Sequence, residues 1–233
     1  MSPEEPRQLV FDLPLRPASG LGDFLVSQSN AAAVALIDRW PDWPQPAALL
    51  AGDAACGKTH LASVWQAQSG AALLAARTLT DEAVTLFQRE DVRALVVEDI
   101  DRGIDNQRVL FHLLNLARET KRHMLLTSRI APGDLDVALP DLRSRLRALP
   151  VIMIAPPDEA LLAAVLVKLF ADRQIAVEPA IISYLTRHME RSLEAARSVV
   201  SRVDALSLAR QRKITRALAA EALAGLEGAG PSD

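Results

Sequence analysis

The sequence predicts an α/β fold: a parallel five-stranded sheet built around a phosphate-binding loop, followed by a small, wholly helical domain. Three observations predict it. The stretch Gly52-Asp53-Ala54-Ala55-Cys56-Gly57-Lys58-Thr59 fits G-x-x-x-x-G-K-[ST]. Short apolar runs alternate with helical stretches up to residue 154, the pattern of a parallel sheet covered on both faces. Beyond Pro156-Pro157 the chain reads as helix alone.

Bulk properties exclude several classes. The chain has 233 residues, half of them hydrophobic, so it can bury a sizeable core. Its net charge of −3 argues against a dominant nucleic-acid footprint. A single cysteine, Cys56, allows no intramolecular disulfide and fits a cytoplasmic setting. No apolar run reaches bilayer length, and Met1-Ser2-Pro3-Glu4-Glu5 is no signal peptide, so no membrane contact is expected.

Residues 1–22, punctuated by prolines and glycines, are expected to be a flexible tail. Within it, Gln8-Leu9-Val10-Phe11-Asp12-Leu13 offers spaced apolar anchors. Such a peptide can dock in a partner's groove or pack as an edge strand on its own domain, and the pattern alone does not choose. Residues 23–157 form the expected α/β core. An Ala-rich helix starts after Ser29-Asn30 and ends at Pro41. Pro46-Ala47-Ala48-Leu49-Leu50-Ala51 is the first strand, and His60-Leu61-Ala62-Ser63-Val64-Trp65 begins the helix after the glycine loop. Strand, loop and helix are the setting a phosphate loop requires. There the two glycines let backbone N–H groups face a phosphate chain, Lys58 reaches its outer phosphates and Thr59 offers a hydroxyl to Mg²⁺.

Further strands are expected at 71–76, 94–101, 123–128 and 149–154, with helices at 80–87, 106–120 and 139–147. The run Ala94-Leu95-Val96-Val97-Glu98-Asp99-Ile100-Asp101 ends in carboxylates. A solvated acidic strand end is common in α/β proteins. Together with a phosphate loop, it reads instead as the delivery of one carboxylate to a metal's water shell and another to an attacking water. Four helices, at 159–173, 179–188, 192–210 and 215–226, make the second domain, 158–227. Residues 228–233 are expected to be disordered.

These residues carry a resemblance. A phosphate-loop core followed by a small helical lid resembles the AAA+ ATPases. Within them, Leu61 after His60, the strand Val97-Glu98-Asp99-Ile100, the box Leu142-Arg143-Ser144-Arg145-Leu146 and Pro156-Pro157-Asp158-Glu159 look like the bacterial replication initiator DnaA. The tail peptide looks like a sliding-clamp-binding motif, and the chain stops after the lid, where the initiator continues into a DNA-binding domain. That combination is similar to the Hda/HdaA family, regulatory inactivators of DnaA; Gln211-Arg212-Lys213-Ile214-Thr215 also resembles that family's lid.

The resemblance implies roles. Gly52, Asp53, Ala54, Ala55, Cys56, Gly57, Lys58, Thr59 and His60 would bind ADP or ATP. Thr59 and Glu98 would hold Mg²⁺. Asp99 would orient water, Thr127 or Ser128 would be sensor 1, Arg191 sensor 2 and Arg145 the arginine finger. Gln8, Leu9, Phe11 and Leu13 would bind the sliding clamp, the β subunit of DNA polymerase III. The implied function is negative regulation of replication initiation: stimulation of ATP hydrolysis by DnaA, with DNA reached mainly through the clamp and self-association left open. For Arg143, Arg145 and Arg147 a solvated helix face is the competing reading, and only the family box selects Arg145. Three departures from the family pattern lead to the expectation of tight nucleotide binding with slow or negligible intrinsic hydrolysis. Glu98 stands for the usual aspartate, Asp99 for the usual glutamate, and Arg129 for an acidic residue after the Thr-Ser pair; the two carboxylate changes shift groups that need close positioning. The alternative function is a conventional AAA+ ATPase or helicase-loader-like adaptor with its own turnover.

Overall fold

The computed structural model describes residues 15–16 and 24–227. Clamp-peptide candidates Gln8, Leu9, Phe11 and Leu13, and the tail 228–233, lie outside the described residues. Contacts divide the described chain into two units, one of 28–156 with residues 16 and 24, the other of 157–227 with 15 and 25–27.

Strands β1 (Leu15–Arg16) and β2 (Phe24–Leu25) pair as a small two-stranded sheet. The first unit then runs α1 (Ala31–Asp38), β3 (Ala47–Ala51), α2 (Lys58–Ser69), β4 (Ala72–Ala75), α3 (Glu82–Gln88), β5 (Ala94–Glu98), α4 (Gln107–Thr120), β6 (His123–Ser128), α5 (Pro140–Arg147) and β7 (Val151–Met153). The main sheet has five strands, all paired parallel, in the order β4-β5-β6-β3-β7. It is the sheet that the sequence predicts. Burial explains the strand compositions. All of β3 is buried, as is nearly all of β5 and β6, because helices cover both faces. The edge strands β4 and β7 alternate in exposure, leaving Leu73 and Met153 open to solvent.

Alternate side chains of the central strands feed two cores. Leu49, Leu95, Val97, Met124 and Leu126 pack with the apolar faces of α3, α4 and α5. On the opposite face Ala48, Leu50, Val96 and Leu125 pack with α1, α2 and a tryptophan cluster. There Trp43 stacks on Trp65 at 5.0 Å and donates its indole N–H to the Leu36 carbonyl at 2.7 Å. Helix α3 ends on a side chain rather than a glycine: Arg122 donates to the carbonyls of Phe87, Gln88, Arg89 and Val92. One strand is shorter than its composition suggests. β5 stops at Glu98; Asp99 turns left-handed, with φ 58°, and 100–102 form a 3₁₀ turn.

The second unit holds α6 (Glu159–Asp172), α7 (Pro179–His188), α8 (Leu193–Arg210) and α9 (Arg216–Glu227). Its helices start on caps that the sequence carries. Asp158 accepts from Leu161 N at 2.7 Å, Ser192 from Ala195 N at 3.0 Å, and Pro179 opens α7. Leu162, Leu166, Phe170, Leu185, Val199, Val200 and Val203 form its core. Arg210 does not stand free in solvent: it forks onto Glu221 at 2.5–2.6 Å. Among the described residues no helix is long and apolar enough to cross a membrane.

Candidate functional site

The sheet order puts the ends of β3, β6 and β5 side by side, the crevice where open α/β sheets bind ligands. The loop after β3 has the shape its glycines predict. At Gly52 a Cβ would collide with the Ile154 carbonyl oxygen and meet Cys56 Sγ at 2.9 Å. Gly57, with φ 108°, enters α2 through a left-handed turn, and Ala55 is left-handed as well, at φ 56°. Successive right- and left-handed residues are what curl N–H groups into an anion nest.

Lys58 is 7 % exposed, and its ammonium donates to the carbonyls of Gly52 at 2.6 Å and Asp53 at 2.7 Å. Cys56 is buried under it, with Sγ at 3.8 Å from Nζ, so its place in the loop is one of packing. Asp53, Ala54 and Thr59 are exposed on the loop, and His60 is half-buried in the first turn of α2.

The end of β6 ties this loop to the acidic strand end. Ser128, paired in register with Ala51, offers its carbonyl to Gly52 N at 3.2 Å. Next to it, buried Thr127 accepts from Asp99 N at 3.0 Å through its hydroxyl. The Ser128 hydroxyl is spent on its own turn, donating to Ile130 O at 2.7 Å and accepting from Ile130 N at 3.1 Å. Of the two hydroxyls, then, Thr127 is the one bonded to the backbone of the acidic strand end.

Two ion pairs that sequence reasoning did not foresee occupy the acidic end. Arg102 Nε lies 3.3 Å from Asp99 Oδ2. Asp101, only 8 % exposed, accepts from Arg129 N at 3.0 Å and sits 3.8 Å from its guanidinium. The sequence holds a partial signal for each: Arg102 is three residues beyond Asp99, and Arg129 is conspicuous after the Thr-Ser pair. Glu98 differs from both. Its Oε1 is buried and has no hydrogen-bond partner among the described residues. A buried, unpartnered carboxylate oxygen is costly and suits a cation or an ordered water.

These features fit a nucleotide and its metal. The loop can cradle a phosphate chain, Lys58 can exchange two carbonyls for phosphate oxygens, and Glu98 has an unused ligand atom. No group of three or more His, Cys, Asp or Glu side chains among the described residues could hold a metal. A divalent ion would therefore draw further oxygens from Thr59, water and the phosphates.

The other candidates lie elsewhere. Arg191 is exposed in the helical unit, just before the Ser192 cap of α8. Arg145 is half-buried in the last turn of α5, beside Gln45, Pro46 and Ala47, where β3 begins. Its guanidinium makes no hydrogen bond or ion pair among the described residues. Its neighbours are employed: Arg143 donates twice to the Val137 carbonyl, at 3.0 and 2.6 Å, and Arg147 makes a long 3.5 Å contact with Gly133 O.

Comparison with known proteins agrees with this architecture. Residues 158–223 match the family described as "Hda, lid domain". The chromosomal replication initiator protein DnaA of Cutibacterium acnes is 26% identical over 229 residues, covering 88% of this chain and 46% of that protein. DnaA of Limosilactobacillus reuteri is 23% identical over 240 residues, covering 93% and 54%. The chain thus spans about half the length of the curated relatives it matches. Domain III of the Thermotoga maritima initiator superposes with a TM-score of 0.74 at 18% identity, over 91% of this chain and 98% of that one. AMPPCP-bound DnaA from Aquifex aeolicus gives 0.68 at 17% identity, over 82% and 66%. With its five-stranded parallel sheet and its phosphate-loop motif, the chain has the fold of DnaA domain III and is similar to DnaA in sequence, and its helical unit is similar to the lid domain of Hda.

Proposed function

We propose that this chain restrains replication initiation by acting on the nucleotide of a partner. It holds ADP or ATP with Mg²⁺ in the loop 52–59 and presents Arg145 to ATP bound by DnaA, accelerating hydrolysis there. The observation that carries the reading is the place and freedom of Arg145. It sits where β3 begins, and the chain's own loop follows the far end of that strand. Four rises of about 3.3 Å separate Ala47 from Ala51 by roughly 13 Å, farther than an arginine side chain reaches. On this reading, the unpaired guanidinium there serves a phosphate brought by another molecule.

The chemistry suits such a donor. In phosphoryl transfer, charge spreads over three equatorial oxygens, and a fixed, permanently charged fork stabilises it. Arginine fingers contribute about 10³–10⁵ in rate to related reactions. The chain's own hydrolysis would be slow. Asp99 is already engaged by Arg102, and Glu98 and Asp99 exchange the usual carboxylate lengths. Docking on the sliding clamp through Gln8, Leu9, Phe11 and Leu13 rests on sequence alone. It would bring the protein to DnaA on DNA.

The test is single-turnover hydrolysis of labelled ATP on DnaA, with DNA-loaded clamp and this protein, with and without ADP. Wild type should accelerate hydrolysis. Arg145→Ala should remove the acceleration and leave clamp binding intact, whereas deletion of residues 1–15 should abolish clamp pull-down. No acceleration under any nucleotide condition sinks the proposal.

One observation favours the second reading, a conventional AAA+ ATPase or helicase-loader-like adaptor. The unpartnered Glu98 Oε1 is what a working metal site needs. That reading requires robust turnover by the protein alone, abolished by Asp99→Ala.

A further inference from the structure

We infer that Arg118 is a second phosphate-facing arginine, acting beside Arg145 on the terminal phosphoryl group of a nucleotide held by the partner; this rests on the role in trans proposed for Arg145. Both side chains line one small cavity of about 70 Å³, whose polar lining is Gln45, Arg118 and Arg145, with no carboxylate. Ala47, Leu114 and Leu149 supply part of its apolar wall. Neither guanidinium has a hydrogen-bond or ion-pair partner among the described residues, whereas Arg77, Arg89, Arg122 and Arg143 of the same unit are each bonded to a carbonyl or a carboxylate, and Arg93, unbonded too, shares its cavity with the carboxylate of Glu90.

Two like charges on one cavity repel unless something offsets them. Part of the offset is local. Arg118 is in the last turn of α4 and Arg145 in the last turn of α5, where the helix dipole favours cations. The dipoles hold the charges there but satisfy none of their N–H donors. An anion does both. Each guanidinium has five donors in a planar fork that matches phosphate oxygens. The cavity's volume is about that of two waters, at roughly 30 Å³ each. It has room for the end of a phosphate chain. With the role in trans proposed for Arg145, the fitting occupant is the terminal phosphoryl group of a nucleotide anchored in another protein.

The experiment measures the same DnaA hydrolysis with full-length Arg118→Gln, Arg118→Lys, Arg145→Ala, the Arg118→Gln/Arg145→Ala double variant and Arg147→Gln. Glutamine keeps most of the stem and removes the charge, and melting curves check the fold. Arg118→Gln should lower the maximal rate about 100-fold, the usual cost of one lost transition-state donor, with the half-saturating protein concentration unchanged. Lysine should recover part of the rate, the double variant should fall no lower than Arg145→Ala, and Arg147→Gln, outside the cavity, should act as wild type. A wild-type rate for Arg118→Gln, a loss confined to half-saturation, or an equal loss for Arg147→Gln overturns the role of Arg118. A wild-type rate for Arg145→Ala overturns the trans reading itself.

Discussion

The two edges of the sheet carry similar charged side chains in opposite conditions. Where the strands end, demands are mostly met from within: Lys58 by two loop carbonyls, Asp99 by Arg102, Asp101 by Arg129 and the Asp99 N–H by Thr127. Of these groups, Glu98 Oε1 is the one without a partner among the described residues. Where β3 begins, Arg118 and Arg145 share a cavity that has no acid in its lining, and neither has a partner among the described residues. The difference separates holding from acting. Groups bonded inside the molecule keep a loop in shape until a ligand takes over their bonds. Under the proposed function, the unbonded cations at this end of the sheet meet charge that arrives from outside.

The largest test of this contrast is Lys58→Ala. It removes the ammonium at one edge and leaves Arg145 untouched at the other. Nucleotide affinity should fall at least 100-fold, because charge-assisted hydrogen bonds of about 1.5–3 kcal/mol each are lost. Titration with a fluorescent ADP analogue measures it. Unchanged affinity would show that the loop is not the nucleotide site. If binding fails while stimulation of DnaA survives, the two edges work independently and the nucleotide is dispensable for the finger.

A smaller effect tests how the holding edge is wired. Thr127→Val keeps the shape of the side chain but deprives the Asp99 N–H of its acceptor. Leaving such a group unpaired costs about 1–3 kcal/mol, or a few degrees in melting temperature for a domain of this size. Ser128→Ala is the control. Its hydroxyl serves only the turn at Ile130, so it should cost less. Equal losses would mean that Thr127 has no special place between loop and carboxylates.

Much of this was readable before any coordinates. Loop, strands and helices follow from local chemistry: glycines where the backbone crowds Ile154, apolar runs where both faces are covered, and caps at Asp158 and Ser192. What the sequence could not reveal depends on distant partners. Three arginines at alternate positions in α5 look alike as letters. The Val137 carbonyl, reached only by folding, takes Arg143 and leaves Arg145. The run through Asp101 reads as one strand, because nothing local announces that Asp99 turns left-handed against Thr127. Once that turn exists, Arg102 meets Asp99, and Asp101 meets Arg129 from 28 residues away. Arg118 carried no signal, since an exposed arginine ending a helix is ordinary until a second one is found beside it.

The smallest effect belongs to the acting edge. His123 starts β6, half-buried with its ring edge-on to Trp43 at 5.5 Å. Burial pushes its imidazole below the ordinary 6.5, and a hydrogen bond with the Pro41 backbone pulls it back by less. The unfolded chain therefore binds a proton as pH falls through 6.5, before the folded chain does. Stability is full above that pH and declines below it. Asp91 and Glu221, held below their ordinary 3.8 and 4.5 by hydrogen bonds from Arg89 and Arg210, contribute only at lower pH. Between pH 7 and 5 the slope should thus belong mainly to His123. Urea midpoints across that window should fall for wild type and stay flatter for His123→Phe, which keeps a ring against Trp43 without a titrating nitrogen. An equal slope in both would place the proton elsewhere. A wild-type midpoint that rises on acidification would mean that the imidazole gains a partner on folding, making His123 a third cation on the edge that carries Arg118 and Arg145.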